Sequence, residues 1–251
     1  YYERYRFADI FAGAKRAPEE VAERLAAIPG VAAVHTRIKE VALLDIPDQL
    51  EPATGVFLSL PVTGRPRLND FFLLSGRLPD PDSRHEVLAN ETFAKEHDFQ
   101  AGATFSAILN GKKRELVITG VMMLPEYIYA LGPGDLVPDG RRFGVFAMPY
   151  EALAGTFDLD GAFNDVVVDV MRGTAEAAVI DAVDEILAPH GGVGAFDRED
   201  HQSHAFIDAE LVQLRSMSFV IPPIFLAIAA FLVNITIARL IALEREQIGL
   251  M

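Results

Sequence analysis

The stretch SMSFVIPPIFLAIAAFLVNITIA, residues 216–238, decides how this chain is read, because it carries no charged side chain. Ile, Leu, Val, Phe and Ala dominate it, and its length matches the ~20 apolar residues that cross ~30 Å of hydrocarbon. A buried core helix rarely needs so long an uncharged run. A cleaved tail does not fit either, because charged sequence follows. The expectation is a transmembrane helix over 216–243, embedded in a lipid bilayer.

Details inside the run bear on how the helix is used. Pro222 and Pro223 lack backbone donors, so they read either as a hinge between stalk and span or as a helix restart at the interface. Ala230, Asn234, Ala238 and Ala242 recur every four residues. Small residues let helices approach closely, and Asn can hydrogen-bond across them, which suggests packing against other transmembrane helices or a second copy. The competing reading is an Asn that bonds its own backbone. Arg239 and Arg245 place the C-terminal flank in the cytoplasm, and Arg215 on the other flank weakens that assignment.

N-terminal to the span, Ile207, Leu211 and Leu214 share a helix face, giving a stalk over 201–215. The sequence before it reads as a folded body of mixed α and β. A strand over 7–14 leads to a helix opened by Pro18-Glu19-Glu20, with Val21, Leu25 and Ile28 as its apolar stripe and Pro29-Gly30 as its stop. A strand region over 31–44 follows. The same order recurs late: a strand over 164–171, a helix over 174–187 with Val179, Val183 and Ile186 on one face, a stop at Pro189 to Gly192, and a strand over 193–196. Two β-α-β units of this kind pair as halves of one α+β layer.

Between them lie strands at 55–60, 86–89, 104–109, 115–122 and 143–148, with Asn110-Gly111 as a hairpin signal and a short helix over 91–97. This middle part reads as a β-rich insert. Residues 125–142, rich in Pro and Gly, read as a long irregular loop. Within it, Tyr127-Ile128-Tyr129 is either a contact surface or an anchor to the core.

The chain has 251 residues, 51% of them hydrophobic, a formal net charge of −14 and no cysteine. The acidic balance excludes nucleic acid as a partner, because phosphate binding needs clustered Lys and Arg. The missing cysteines exclude disulfides and thiolate metal sites. No signal peptide is visible at Tyr1 to Arg6, which reads as sequence just after a membrane segment.

Two segments carry a family resemblance. Leu243-Glu244-Arg245-Glu246-Gln247-Ile248-Gly249-Leu250-Met251, directly after a span, resembles the cytoplasmic signature of FtsX-like permeases of ABC transporters. Ser75-Gly76-Arg77-Leu78-Pro79, then Glu86-Val87-Leu88-Ala89-Asn90, Phe93-Ala94 and Phe99-Gln100-Ala101-Gly102, is similar to the MacB-like periplasmic core domain pattern, and Thr119-Gly120-Val121 resembles its later strand. The irregular 125–142 loop and the first 50 residues depart from the pattern.

The resemblance implies an α+β fold. A porter-like split βαβ subdomain (1–50 and 151–200) would carry an inserted β-rich, Sabre-like subdomain (51–150), followed by the stalk, the span and the start of a cytoplasmic coupling segment (244–251). It implies a first span before Tyr1, the bacterial inner membrane, and residues 1 to about 215 outside the cytoplasm. Glu244, Arg245, Glu246, Gln247, Ile248 and Gly249 would touch a separate ABC ATPase subunit, with export or extraction of an apolar or amphipathic substrate as the outcome. The alternative is a non-transporting scaffold whose outer domain activates a periplasmic partner such as a cell-wall hydrolase.

Enzymatic readings find little support. Gly111-Lys112-Lys113 lacks the Gly and Ser/Thr of a P-loop, and no Gly-x-Ser-x-Gly elbow occurs. His201 and His204 with Asp197, Glu199 and Asp200 have a spacing that zinc could use, yet lack a His-Glu-x-x-His pattern. Asp158 with Asp160, and Asp80 with Asp82, read as solvated turn residues rather than calcium ligands. No catalytic residue, cofactor or metal is expected. Three outcomes separate the hypotheses: an apolar groove between the subdomains for transport, a flat apolar patch on the insert for a scaffold, acids and His in a pocket for an enzyme.

Overall fold

The computed structural model describes residues 6–248, apart from residues 48, 50, 52, 133 and 136. It divides into two units, residues 1–205 and residues 206–251. The first is α+β, with two sheets.

The smaller sheet is built from β1 (Ile10–Pro18), β2 (Val31–Arg37), β10 (Ala162–Val170) and β11 (Gly192–Asp197), in the order β11-β1-β10-β2 with every neighbour antiparallel. Helices α1 (Val21–Ala26) and α4 (Glu176–Leu187) connect β1 to β2 and β10 to β11. Each β-α-β unit therefore inserts one strand between the two strands of the other. Both helices bury Val or Leu on one face, and Val21, Leu25, Val179 and Val183 share a core with Ile10, Val166 and Val168. Val167 points to the opposite face and packs with Phe7, Phe11 and Leu68. Burial on both faces explains the unbroken valine run of β10.

The helix stops work through backbone geometry. Gly30 (φ +93°) and Gly191 (φ +73°) are left-handed, and a Cβ on Gly30 would sit 2.3 Å from Thr174 Cγ2. Pro18 does not open α1: it ends β1, opposite Ala162, and the helix starts after Glu20.

The larger sheet contains β3 (Lys39–Asp45), β4 (Ala53–Leu60), β5 (Phe72–Gly76), β6 (Glu86–Asn90), β7 (Thr104–Leu109), β8 (Lys112–Met123) and β9 (Phe143–Pro149). Its order is β5-β8-β6-β9-β4-β3-β7, and β7 also pairs with β8. That pairing closes six strands into a barrel, with β5 added along the C-terminal half of β8. Closure removes the exposed edges of those strands. The interior is filled by Phe57, Phe93, Phe105 and Phe146, with Phe57 and Phe146 stacked at 4.9 Å. Asn110 (φ 47°) and Gly111 (φ 73°) are both left-handed, as the tight β7–β8 turn requires.

The expected strand over 31–44 is two strands in different sheets. The change falls at Ile38, whose N–H donates to Ser59 Oγ at 2.8 Å. Helix α2 (Glu91–Glu96) follows β6, and α3 (Tyr150–Phe157), absent from the sequence reading, packs Leu153 into the barrel core.

Helix α5 runs unbroken over Gln202–Ile248, 47 residues, with Pro222 and Pro223 inside it. Its segment Leu211–Ile241 is long and apolar enough to cross a membrane, and none of its most apolar window is buried. Phe219, Phe225 and Leu226 are each at least 68% exposed. An apolar helix exposed on every side is stable in lipid, not in water.

Candidate functional site

Residues that the sequence places in three different strands and a loop meet in one buried charge cluster. Arg37 closes β2, Lys39 opens β3, Asp165 lies on β10, and Glu126 sits in the 3-10 turn Pro125–Tyr127 after β8. Arg37 is 4% exposed and Glu126 1%. Arg37 Nε donates to Asp165 Oδ2 at 2.5 Å, and its Nη2 donates to Glu126 Oε1 at 2.7 Å. Arg37 Nη1 lies 2.7 Å from Glu126 Oε2, so the second pair is two-pronged. Lys39 Nζ lies 3.8 Å from both Glu126 Oε1 and Asp165 Oδ1.

These two cations and two anions cancel. Burial alone would neutralise Glu126, but the adjacent Arg37 and Lys39 outweigh it and hold the carboxyl well below the usual range. Burial opposes the charge on Arg37 too, and Asp165 with Glu126 overcomes it and raises that pKa. The Tyr127 hydroxyl is buried at the end of a half-buried side chain, which pushes it up to about 12.

The cluster reaches both ends of the folded unit. Asn69 Nδ2 donates to Glu126 Oε2 at 2.9 Å, and its Oδ1 accepts from Ala8 N–H at 2.8 Å, just before β1. On the other side, His201 Nε2 lies 4.0 Å from Glu126 Oε1, immediately before α5. The His201 ring packs against Phe11 at 4.5 Å and Phe7 at 5.7 Å. Tyr129 N–H donates to Ser203 Oγ at 3.1 Å, tying the loop to the first turn of α5. Arg198 completes the tie: its guanidinium donates to the carbonyls of Phe7 and Ala8 and to Asp9 Oδ1 at 2.6 Å. Residues 7–9 and 198–203 thus meet at one polar junction.

The polar groups of the junction are largely committed to one another. Glu126 has both oxygens engaged. Burial lowers the His201 pKa against the pull of Glu126. His201 Nδ1 has no hydrogen-bond partner, so Ser203 is not held against it as an activated nucleophile. Among the described residues, no three His, Asp or Glu side chains gather as metal ligands. Glu126, Asp200 and His201 line a shared cavity of about 210 Å³ here.

The sequence motifs fall elsewhere. Gly76 has φ +82°, and a Cβ there would lie 2.3 Å from the Thr119 carbonyl oxygen and 2.6 Å from Gly120 Cα. Arg77 next to it grips Glu86 with two bonds of 2.6 and 2.7 Å. The segments 76–79, 86–90 and 119–121 are thus one staple of β5 and β6 onto β8. Tyr127 anchors inward beneath Lys39, whose Nζ lies 5.8 Å from its ring, while Ile128 is exposed. Asp80 and Asp82 form a turn, with Asp82 N–H donating to Asp80 Oδ1 at 3.0 Å.

On α5, Ala230, Asn234 and Ala238 are all exposed. Thr236 Oγ1 donates to the Leu232 carbonyl at 2.8 Å, and Asn234 makes no such bond among the described residues. The backbone of Ala242 and of Glu244, Arg245, Glu246, Gln247 and Ile248 is helical, and Gly249 lies outside the described residues. The side chains of His204 and of 242–248 likewise lie outside them. Sequence reading missed Arg37, Lys39, Glu126 and Asp165. The one available signal was an acid, Glu126, next to Pro125 in an otherwise apolar stretch.

A folded α+β unit followed by a helix that is apolar on all sides defines a membrane-anchored protein. No family model matches the chain, and no curated protein does. Among solved structures it is similar to the periplasmic region of MacB from Actinobacillus actinomycetemcomitans, at 11% identity over 84% of this chain and 95% of that one, with a TM-score of 0.46. It is also similar to the extracellular domain of the noncanonic ABC-type transporter YknZ from Gram-positive bacteria, at 11% identity over 74% of this chain and 97% of that one, TM-score 0.45.

Proposed function

We propose that this chain is the extracytoplasmic domain and one span of an ABC transporter permease subunit in the bacterial inner membrane. In this reading ATP is hydrolysed in a separate subunit that binds at Glu244 to Gly249. The long helix carries the resulting motion to the outer domain, which moves an apolar or amphipathic substrate without covalent chemistry. The smaller sheet is the porter-like part, the barrel the inserted one. Ala230, Asn234, Ala238 and Ala242 face neighbouring spans, and Pro222 with Pro223 are the hinge between stalk and span.

The observation that carries the reading is the continuity of α5. A single helix of 47 residues spans ~70 Å at 1.5 Å per residue. It begins among the residues tied to the buried junction and ends in the segment that resembles the FtsX-like coupling signature. A continuous helix of this kind can couple two distant sites.

Co-purification of the full-length protein with candidate ATPase subunits tests it. Replacing Glu244, Arg245 and Glu246 by Ala should abolish association while the outer domain stays folded. Failure of the unmodified protein to hold or stimulate any ATPase would refute the permease reading.

A further inference from the structure

A second concave feature is lined mainly by residues at the ends of barrel strands and by the loops that follow them. It is a cleft of about 450 Å³, walled by Pro61, Val62, Leu78, Pro79, Pro81 and Pro149, with Phe71 and Tyr150 also lining it. The volume falls within the ~300–1,000 Å³ of small-molecule sites. Val62 is 58% exposed and Leu78 42% exposed, so water faces apolar walls. The four prolines fix their own backbone angles, so the walls are shaped before anything binds and little ordering entropy is lost.

The charges around the cleft are one-sided. Arg65 is committed: its Nε lies 3.0 Å from both oxygens of Asp70, its Nη2 donates to the Phe71 carbonyl, and its guanidinium covers the Phe71 ring at 4.8 Å. Asp82 and Glu151 also line the cleft, both exposed and neither in an ion pair among the described residues. The field of a chain with net charge −14 adds to theirs and draws cations to the surface.

We propose that this cleft binds cationic amphiphiles, the apolar body lying against Pro61, Val62 and Leu78 and the positive charge meeting Asp82 and Glu151. An anionic amphiphile of the same shape binds less well, because those carboxylates repel it and Asp70 offsets the charge of Arg65. As a statement of binding the assignment stands alone; as the substrate class of the outer domain it rests on the permease reading.

Two photoreactive probes decide it on the full chain in lipid nanodiscs: a dodecyltrimethylammonium and a dodecyl sulfate, each with a diazirine at the chain end. Labelled residues are mapped by mass spectrometry and normalised to labelling of Leu211–Ile241, which reports partition into lipid. The ammonium probe should label residues 60–62 and 78–81 about fivefold more than the sulfate, the effect of two surface charges worth ~0.5 kcal/mol each. Leu78→Lys, at an exposed position, should cut cleft labelling about tenfold through lost apolar contact and added repulsion. Asp82→Asn with Glu151→Gln should bring the two probes level while leaving apolar labelling in place.

Equal labelling by both probes of the unmodified chain, labelling confined to the helix, or indifference to Leu78→Lys would each overturn the proposal. Cleft labelling in a protein that holds no ATPase would leave the site standing and remove the permease reading. An ATPase-coupled protein with an unlabelled cleft would do the reverse.

Discussion

Replacing Glu126 by Ala should be the most damaging single change to the folded unit that leaves its hydrophobic cores intact. The carboxylate is buried and accepts two contacts of 2.7 Å from Arg37 and one of 2.9 Å from Asn69. Removing one partner of a buried pair costs ~3–5 kcal/mol, because the other charge stays desolvated. Arg37 keeps Asp165 at 2.5 Å, which places the cost at the lower end, about 3 kcal/mol. Against a total stability of ~5–15 kcal/mol that is a large share. Urea unfolding of the folded α+β unit, followed by tyrosine fluorescence, should show the midpoint fall by about 1.5 M at a slope of ~2 kcal/mol/M. The pair Arg37→Met with Glu126→Leu should lose less than the sum of the single losses, by ~1–3 kcal/mol. A midpoint shift under about 0.5 M for Glu126→Ala, or additive behaviour of the pair, would mean that water reaches the cluster and that it does not lock the junction.

Two further outcomes follow from local geometry. Burial, reinforced by Arg37, lowers the His35 pKa to about 4. The unfolded chain therefore binds this proton first as pH falls from ~6.5, and stability drops by about 3 kcal/mol by pH 4, full stability being present above the unfolded value. His35→Gln should flatten this limb in unfolding curves taken between those pH values. Gly76→Ala should cost at least ~2 kcal/mol, combining a left-handed backbone with a Cβ 2.3 Å from the Thr119 oxygen, whereas Gly64→Ala (φ +76°, open space) should cost only ~1 kcal/mol in the same assay.

Where a signal depends on neighbours in sequence, it was legible. The uncharged run over 216–238, the Asn110-Gly111 turn, the valines of β10 and the two helix stops all act through periodicity or local backbone angles. The α+β class followed from them. The break at Ile38 was not legible, because 31–44 alternates without a Gly or Pro, and only Ser59 and Asn164, arriving from other strands, divide it. Strand β5 escaped notice because most of it is exposed and it lacks the apolar alternation that marks a half-buried strand. Helix α3 escaped because it is only eight residues long, follows Pro149 without a side-chain cap and carries Gly155 inside it.

The charge cluster was invisible for a stronger reason. Arg37 and Glu126 are 89 positions apart and Arg37 and Asp165 are 128 apart, and each looks like a surface residue among its own neighbours. Its consequence for motion comes from where its partners lie. Arg37 and Asp165 belong to the smaller sheet, Lys39 to the barrel, Asn69 reaches the start of β1, and His201 precedes α5. A displacement of one sheet alone would have to separate Glu126 from Arg37 and Lys39 from Asp165, at no less than the ~3–5 kcal/mol cost of an opened buried pair. Small displacements should therefore carry both sheets as one body, and only a larger input would part them. Packed polar junctions respond in this all-or-none way rather than by bending. The Glu126→Ala protein should accordingly keep both sheets folded under mild urea while hydrogen exchange quickens first at Ile38 and around 124–131, the segments that the cluster joins.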